Sequence, residues 1–246
     1  MSERFEIKFH DGPGRFGKLL NLETPNIMGK KEHKIAPYIE TPYDIQREIA
    51  IWSVEKTMTK AKEYINSMEI AVVQGAKYVD LRVKTAKELE KVGYNGFLIA
   101  NGDSLILHPR DLVDLLVSLR ENLNPNSYLI FPFAEPTFIP LLSYIGIDLF
   151  LKGSGEYYSY LNVLLTPTKN YDLNRYDLFE IGQNDLLEEN NKNIEFVLKE
   201  VREHMKNGTL RNLVEERSLT SPQNMTALKL LDKNHQVYLQ KYTRLY

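Results

Sequence analysis

Four short polar, glycine-containing or carboxylate-bearing clusters are spaced along the first 155 residues, each after an apolar run. They are Gln74-Gly75, Asn101-Gly102-Asp103-Ser104, Phe133-Ala134-Glu135 and Lys152-Gly153-Ser154-Gly155. The residue types suit a recognition pocket. An amide such as Gln74 or Asn101 offers a donor beside an acceptor, which complements the edge of a planar heterocyclic base. A glycine such as Gly75 lets backbone groups approach a ligand closely. Asp103 and Glu135 add carboxylate acceptors. A base held among Gln74, Gly75, Asn101, Asp103 and Glu135 is the chemistry these clusters could perform. The same types also serve ordinary turns: Gly75 and Gly102 can permit them, Asp103 and Ser104 can cap a following helix, and Glu135 before Pro136 can lie in a solvated loop.

Other chemistries find less support. The chain has no cysteine, which rules out disulfides and thiolate zinc sites within it. Its histidines, His10, His33, His108, His204 and His235, are scattered, with no pair at helical metal-ligand spacing. We therefore expect neither a metal nor a cofactor. No serine sits in a nucleophile-elbow pattern. Gly153-Ser154-Gly155 lacks the lysine and hydroxyl of a P-loop, so a flexible turn is the plainer reading. Lys30, Lys31 and Lys34 form a small basic run with His33, and Arg110 opens a helical pattern. These are the candidates for RNA phosphate contacts, with a solvated surface as the alternative. The net charge of −2 gives no footprint of a stand-alone nucleic-acid binder. If RNA is bound, a local patch or a second subunit must meet its phosphates.

The clusters need a scaffold, and the hydropathy pattern supplies one. Alternation over Phe5 to Phe9, a turn at Asp11-Gly12-Pro13-Gly14 and a return over Arg15 to Leu22 predict an N-terminal hairpin. Thr41-Pro42 predicts a helix start, with helical spacing through Ile45, Ile49 and Trp52 towards Tyr64. Strands are then expected at Ile70 to Val73, Phe97 to Ala100, Tyr128 to Phe131 and Ile147 to Leu151, and one more at Asn162 to Thr166. Helices are expected at Thr85 to Val92, Pro109 to Leu123 and Phe138 to Tyr144. Strands alternating with helices predict a parallel sheet covered on both faces, either a barrel or an open doubly wound sheet. Ligands in such folds bind where strands end, which is where the four clusters fall.

Beyond Tyr171 the chain turns polar, and the Asn- and Glu-rich stretch Gln183 to Asn193 reads as a boundary. A helix follows, with Ile194, Val197, Leu198, Val201 and Met205 on one face, closed by Asn207-Gly208. Ser221-Pro222 opens a last helix bearing Leu228, Leu231, Tyr238 and Tyr242. We divide the chain into residues 1–170, a barrel domain, and 171–246, a helical region. The charged N-terminus carries no apolar signal region, and no apolar run approaches the length of a membrane span, so a soluble, cytoplasmic protein is expected.

Several segments resemble the tRNA-guanine transglycosylases, in family order. Phe5-Glu6-Ile7-Lys8, Asp11-Gly12, Arg15-Phe16-Gly17 and Glu23-Thr24-Pro25 look like their opening hairpin. Val72-Val73-Gln74-Gly75, Asp80-Leu81-Arg82 and Ala86-Lys87-Glu88-Leu89 are similar to their VQGG…DLR block. Gly96-Phe97-Leu98-Ile99-Ala100 and Gly146-Ile147-Asp148-Leu149-Phe150 match two further strands. The resemblance implies a shortened or irregular TIM-like (β/α) barrel, preceded by the hairpin and followed by helices. It also implies a loss. The family's nucleophilic aspartate follows directly on the strand that Gly146 to Phe150 matches, and Leu151 stands there. A leucine has no lone pair with which to attack the ribose carbon. The family's segment with a second catalytic aspartate, and its cysteine-rich zinc site, have no counterpart.

The archaeosine synthase branch shares this shortened form. Leu98-Ile99-Ala100-Asn101, Pro109-Arg110-Asp111-Leu112-Val113 and the tail segments Val201-Arg202-Glu203, Gly208-Thr209-Leu210-Arg211 and Leu213-Val214-Glu215 resemble it. What the resemblance implies is lysine addition to the nitrile of a cyano-deazaguanine already in tRNA. The branch's PCS.rKPY.lS-type motif and RNA-binding PUA domain would lie after Tyr246, so the chain looks like the N-terminal half of a split synthase, with a second chain as partner. A non-catalytic subunit that helps a true transglycosylase dimerise on tRNA remains open, as does an independent barrel enzyme acting on a small metabolite. Asp148, by alternation opposite Leu149, is expected to be structural.

Overall fold

The computed structural model describes residues 5–28, 34–178 and 180–242. The chain opens with β1 (Phe5–Asp11), β2 (Gly14–Leu19), β3 (Leu22–Thr24) and β4 (Asn26–Met28), then α1 (Arg47–Glu63). Next come β5 (Ile70–Val73), α2 (Val79–Val92), β6 (Gly96–Ile99), α3 (Gly102–Leu107), α4 (Pro109–Asn122), β7 (Tyr128–Phe131), α5 (Ile139–Ile145) and β8 (Leu149–Leu151). The remainder is α6 (Ser154–Tyr160), β9 (Val163–Leu165), β10 (Asn170–Asp172), α7 (Gln183–Asn207), α8 (Leu210–Ser218), α9 (Pro222–Asn234) and α10 (Gln236–Tyr242).

The central sheet is parallel, in the order β4-β8-β7-β6-β5, and a single parallel bridge from Ile35 to Ile70 extends it past β5. Strands β5 to β8 are buried along their whole length, and rich in apolar residues, because both faces are covered. One face, with Ile70, Val72, Leu98, Tyr128, Ile130, Leu149 and Leu151, shares a buried cluster with Met28, Phe5 and Leu19. Residues from both edges and the middle of the sheet thus meet in one interior, as in a barrel with fewer strands than the usual eight. The other face, with Val73, Phe97, Ile99, Leu129, Phe131 and Phe150, packs on the helices.

The antiparallel sheet β1-β2-β3 closes the interior at the strand-start end. Arg15 of β2 reaches the chain just before β7 and β8. It donates to Pro125 O at 2.6 Å, Ser127 O at 3.0 Å and Asp148 Oδ2 at 2.6 Å. The C-terminal helices join the core on the sheet's outer, helix-covered face through Val197, Val201, Leu213 and Leu231. They are tied by Arg202 to Pro25 O (2.6 Å), Asn224 to Thr137 O (2.7 Å) and Tyr238 to Ile145 O (2.8 Å). No described helix is long and apolar enough to cross a membrane.

Several element bounds differ from expectation. The first helix begins at Arg47, not at Thr41-Pro42, because residues 36–43 run as an extended strap held by side chains from the sheet. The return strand expected over Arg15 to Leu22 is two strands, broken by Leu20 at a φ of 54°. Helix α2 starts at Val79, six residues before Thr85, and α3 was not foreseen. Gln183 to Asn193 is helix rather than boundary, since Asn190 is buried and bonds β9 through Leu165 N (2.7 Å) and Val163 O (2.9 Å). The last helix breaks at His235. The closing glycine Gly208 adopts the left-handed conformation, and Ser221 caps α9 by accepting from Asn224 N at 3.3 Å.

Candidate functional site

A cleft of about 1450 Å³ opens where the parallel strands end. Val72, Leu98 and Leu151, from three strands, form its apolar floor. The strap over residues 35–43 forms one side, and Phe133, Tyr157 and Tyr158 form the other. The rings of Phe133 and Tyr157 are tilted, 6.2 Å apart. The aromatic side offers ring faces against which a planar ligand can pack.

The expected amides reach this region, but they already have partners. Gln74 is 1% exposed; its Nε2 donates to Ile39 O at 2.6 Å and its Oε1 accepts from Gly75 N at 3.2 Å. Asn101, left-handed at the N-terminus of α3, donates to Thr41 O at 2.8 Å and accepts from Arg82 Nη2 at 3.0 Å. Both amides therefore pin the strap against the strand ends. Gly75 has a φ of 150° and packs on α2, where an added Cβ would come within 2.8 Å of Arg82 N. Asp103 is exposed on the rim, in the first turn of α3.

Glu135 is not a solvated loop residue. It lies half-buried in the cleft wall, where the Tyr158 hydroxyl donates to one oxygen and Asn170 Nδ2 donates to the other at 3.0 Å. Burial raises its pKa above the ordinary value of 4.5, outweighing these two bonds, which act the other way. Burial and the neighbouring carboxyl likewise push the Tyr158 hydroxyl up.

A raised carboxyl binds its proton more tightly in the folded chain than in the unfolded one. Its contribution to stability is complete below the ordinary glutamate range and is lost as the pH rises through the raised value. Glu135→Gln is expected to remove that decline, so thermal unfolding of wild type and variant should converge in acid and diverge above it. Parallel curves across the whole range would contradict the assignment.

Of the RNA candidates, Lys30 and Lys31 lie outside the described residues. Lys34 is exposed, its backbone O accepting from Ile70 N at 3.1 Å at the start of β5, just before the strap that sides the cleft. Arg110 is exposed in the first turn of α4, next to the rim helix α3. Among the described residues no group of three or more His, Asp or Glu could hold a metal ion.

Arg82 organises the rim. It is 1% exposed and donates to Ala76 O (2.6 Å), Val73 O (3.1 Å), Ala100 O (2.9 Å) and Asn101 Oδ1 (3.0 Å). Burial lowers its pKa to about 10. One signal in the sequence marks it: a cation in the stripe of Leu81, Thr85, Ala86 and Leu89 that α2 buries. Tyr43 and Asp111, hydrogen-bonded to each other, join the strap to α4.

The family model for queuine tRNA-ribosyltransferase matches residues 35–180. The chain is 31% identical over 211 residues to an archaeosine synthase of Methanocaldococcus jannaschii, covering 84% of this chain and 35% of that protein. It is 30% identical to a tRNA-guanine(15) transglycosylase of Thermococcus kodakarensis over 82% of this chain and 39% of the relative. It is 24% identical to a protein of the same organism named archaeosine synthase subunit alpha, over 97% of this chain and 43% of the relative. The chain therefore spans well under half the length of these relatives. With a TIM-like sheet whose strand ends surround the cleft, and a family match across most of that sheet, this chain belongs to the queuine tRNA-ribosyltransferase family.

Proposed function

We propose that the chain serves archaeosine biosynthesis as the transglycosylase-like part of a split archaeosine synthase, and that it holds a cyano-deazaguanine of tRNA without cutting a glycosidic bond. The observation that carries this reading is the apolar floor of the cleft. Leu151 ends β8 there, beside Val72 and Leu98, at the position where the resembling family carries its attacking carboxylate. Asp103 and Glu40 are exposed on the rim, and Glu135 is held by Tyr158 and Asn170 in the wall. A planar base could lie between the aromatic wall and the strap without meeting a nucleophile.

In this reading residues 1–170 form the base pocket and residues 171–246 brace it. In the same reading a second chain carrying the synthase motif and a PUA domain supplies lysine addition. The relative named as a subunit is in keeping with such an assembly. Co-purification from the native host tests it: a chain bearing the synthase motif is expected, and recovery of an intact transglycosylase instead would point to the inert-partner role. Incubation with tRNA and labelled guanine should give no incorporation. Leu151→Asp should not create it, since the apolar floor favours a neutral carboxyl. Incorporation by the unaltered chain would overturn the reading.

A further inference from the structure

The aromatic wall of the cleft continues outward onto the surface of α6 and the β9–β10 hairpin. Tyr157, which faces Phe133 in the cleft, is 51% exposed, and Tyr160 on the same helix is 77% exposed. The hairpin brings up a second group: Tyr171 and Tyr176 meet edge to face at 5.6 Å, and Lys169 Nζ lies 5.1 Å and 4.8 Å from their ring centres. Hydrogen bonds make the two groups one surface. Asn162, just after α6, donates to Asn174 Oδ1 at 2.9 Å, and Asn170 of β10 donates to Glu135 in the cleft wall at 3.0 Å.

We propose that this surface stacks the unpaired bases flanking a nucleotide whose own base occupies the cleft, a proposal that rests on the reading of the cleft as a base pocket. The exposed rings carry flat faces that every base can use, and stacking on them requires bases outside a duplex. Tyr157 meets Phe133 in the cleft, and Tyr160 follows three positions later on the same side of α6, which places its face about one helical turn beyond the cleft. Charge is nearly balanced here: Lys152, Lys169 and Arg175 are offset by Glu156, Asp172 and Asp177, with Arg175 paired to Asp172 at 3.2 Å. Recognition is therefore by stacking more than by phosphate neutralisation, in keeping with the overall charge of −2. The same balance gives an acidic or basic protein partner little to recognise.

The test measures binding of a labelled, unpaired RNA oligonucleotide and of a tRNA transcript to the full chain. Tyr160→Ala and Tyr176→Ala should each weaken oligonucleotide binding about 5- to 100-fold, while Tyr160→Phe and Tyr176→Phe bind as the parent does. The log–log salt slope should be no steeper than about −2, for at most three cations, and the same in every variant. Unchanged affinity in both alanine variants, with tRNA still bound, overturns the surface and leaves the cleft reading intact. Failure of the parent chain to bind unpaired RNA overturns the surface, and failure to bind tRNA as well removes the base-pocket reading with it. Loss of a co-purifying protein by the alanine variants, with RNA binding unchanged, would make it a protein interface instead and overturns the proposal.

Discussion

Asp148→Ala is expected to cost about 3–5 kcal/mol of folding stability, because it leaves two buried cations without their anion. Asp148 is fully buried. It accepts from Arg15 Nε at 3.0 Å, from Arg15 Nη2 at 2.6 Å, from Leu129 N at 2.8 Å and from Arg120 Nη2. Burial already lowers the pKa of Arg120 to about 10, and Arg15 beside it adds to that shift. Without the carboxylate, two like charges would face each other across the junction of hairpin and sheet. Asp148→Asn keeps the shape and an acceptor but not the charge, so most of the loss should persist. Urea unfolding of both variants checks this; a loss of about 1 kcal/mol or less, the scale of an exposed pair, would show that the triad contributes little.

Asp148 also shows what could be read from the chain. Its structural role followed from alternation, and the parallel strands followed from their unbroken apolar runs, because both features are imposed locally by burial on two faces. The strap was illegible for the opposite reason. Pro37 and Pro42 disfavour helix within residues 36–43, yet Thr41-Pro42 invites a helix from that point on, and it is Gln74 and Asn101 from distant strands that hold Ile39 and Thr41. The same bonds give both amides of base-binding type partners on the strap, while both still line the cleft. Glu135 could be identified as a candidate but not as a half-buried one, since its second hydrogen bond comes from Asn170 of β10, a strand with no hydropathy signal of its own. Asn190 made the opposite impression: it looks like linker and is buried against β9.

The positions of the cleft residues thus depend on a relay that ends in one cation, and this leads to a second large effect. Arg82→Met is expected to destabilise the fold by about 3–5 kcal/mol while keeping the aliphatic length of the side chain. Three backbone carbonyls, at Val73, Ala76 and Ala100, and the Asn101 side-chain oxygen would lose their donor at once. Relief from burying an unpaired charge offsets part of this, since among the described residues no carboxylate bonds Arg82 directly and burial has already lowered its pKa to about 10. Arg82→Lys keeps the charge but cannot span both strand ends, so it should fall between wild type and Arg82→Met. The loss should also be local. Asn101, freed from Arg82, would hold Thr41 O less firmly, and amide exchange in residues 38–43 should accelerate in Arg82→Met and Asn101→Ala alike. Exchange in β7 and β8, beyond the reach of Arg82, should change only through global unfolding. If strap exchange is unaltered in both variants, the relay from α2 to the strap is absent, and the shape of the cleft is set by the strap's own packing.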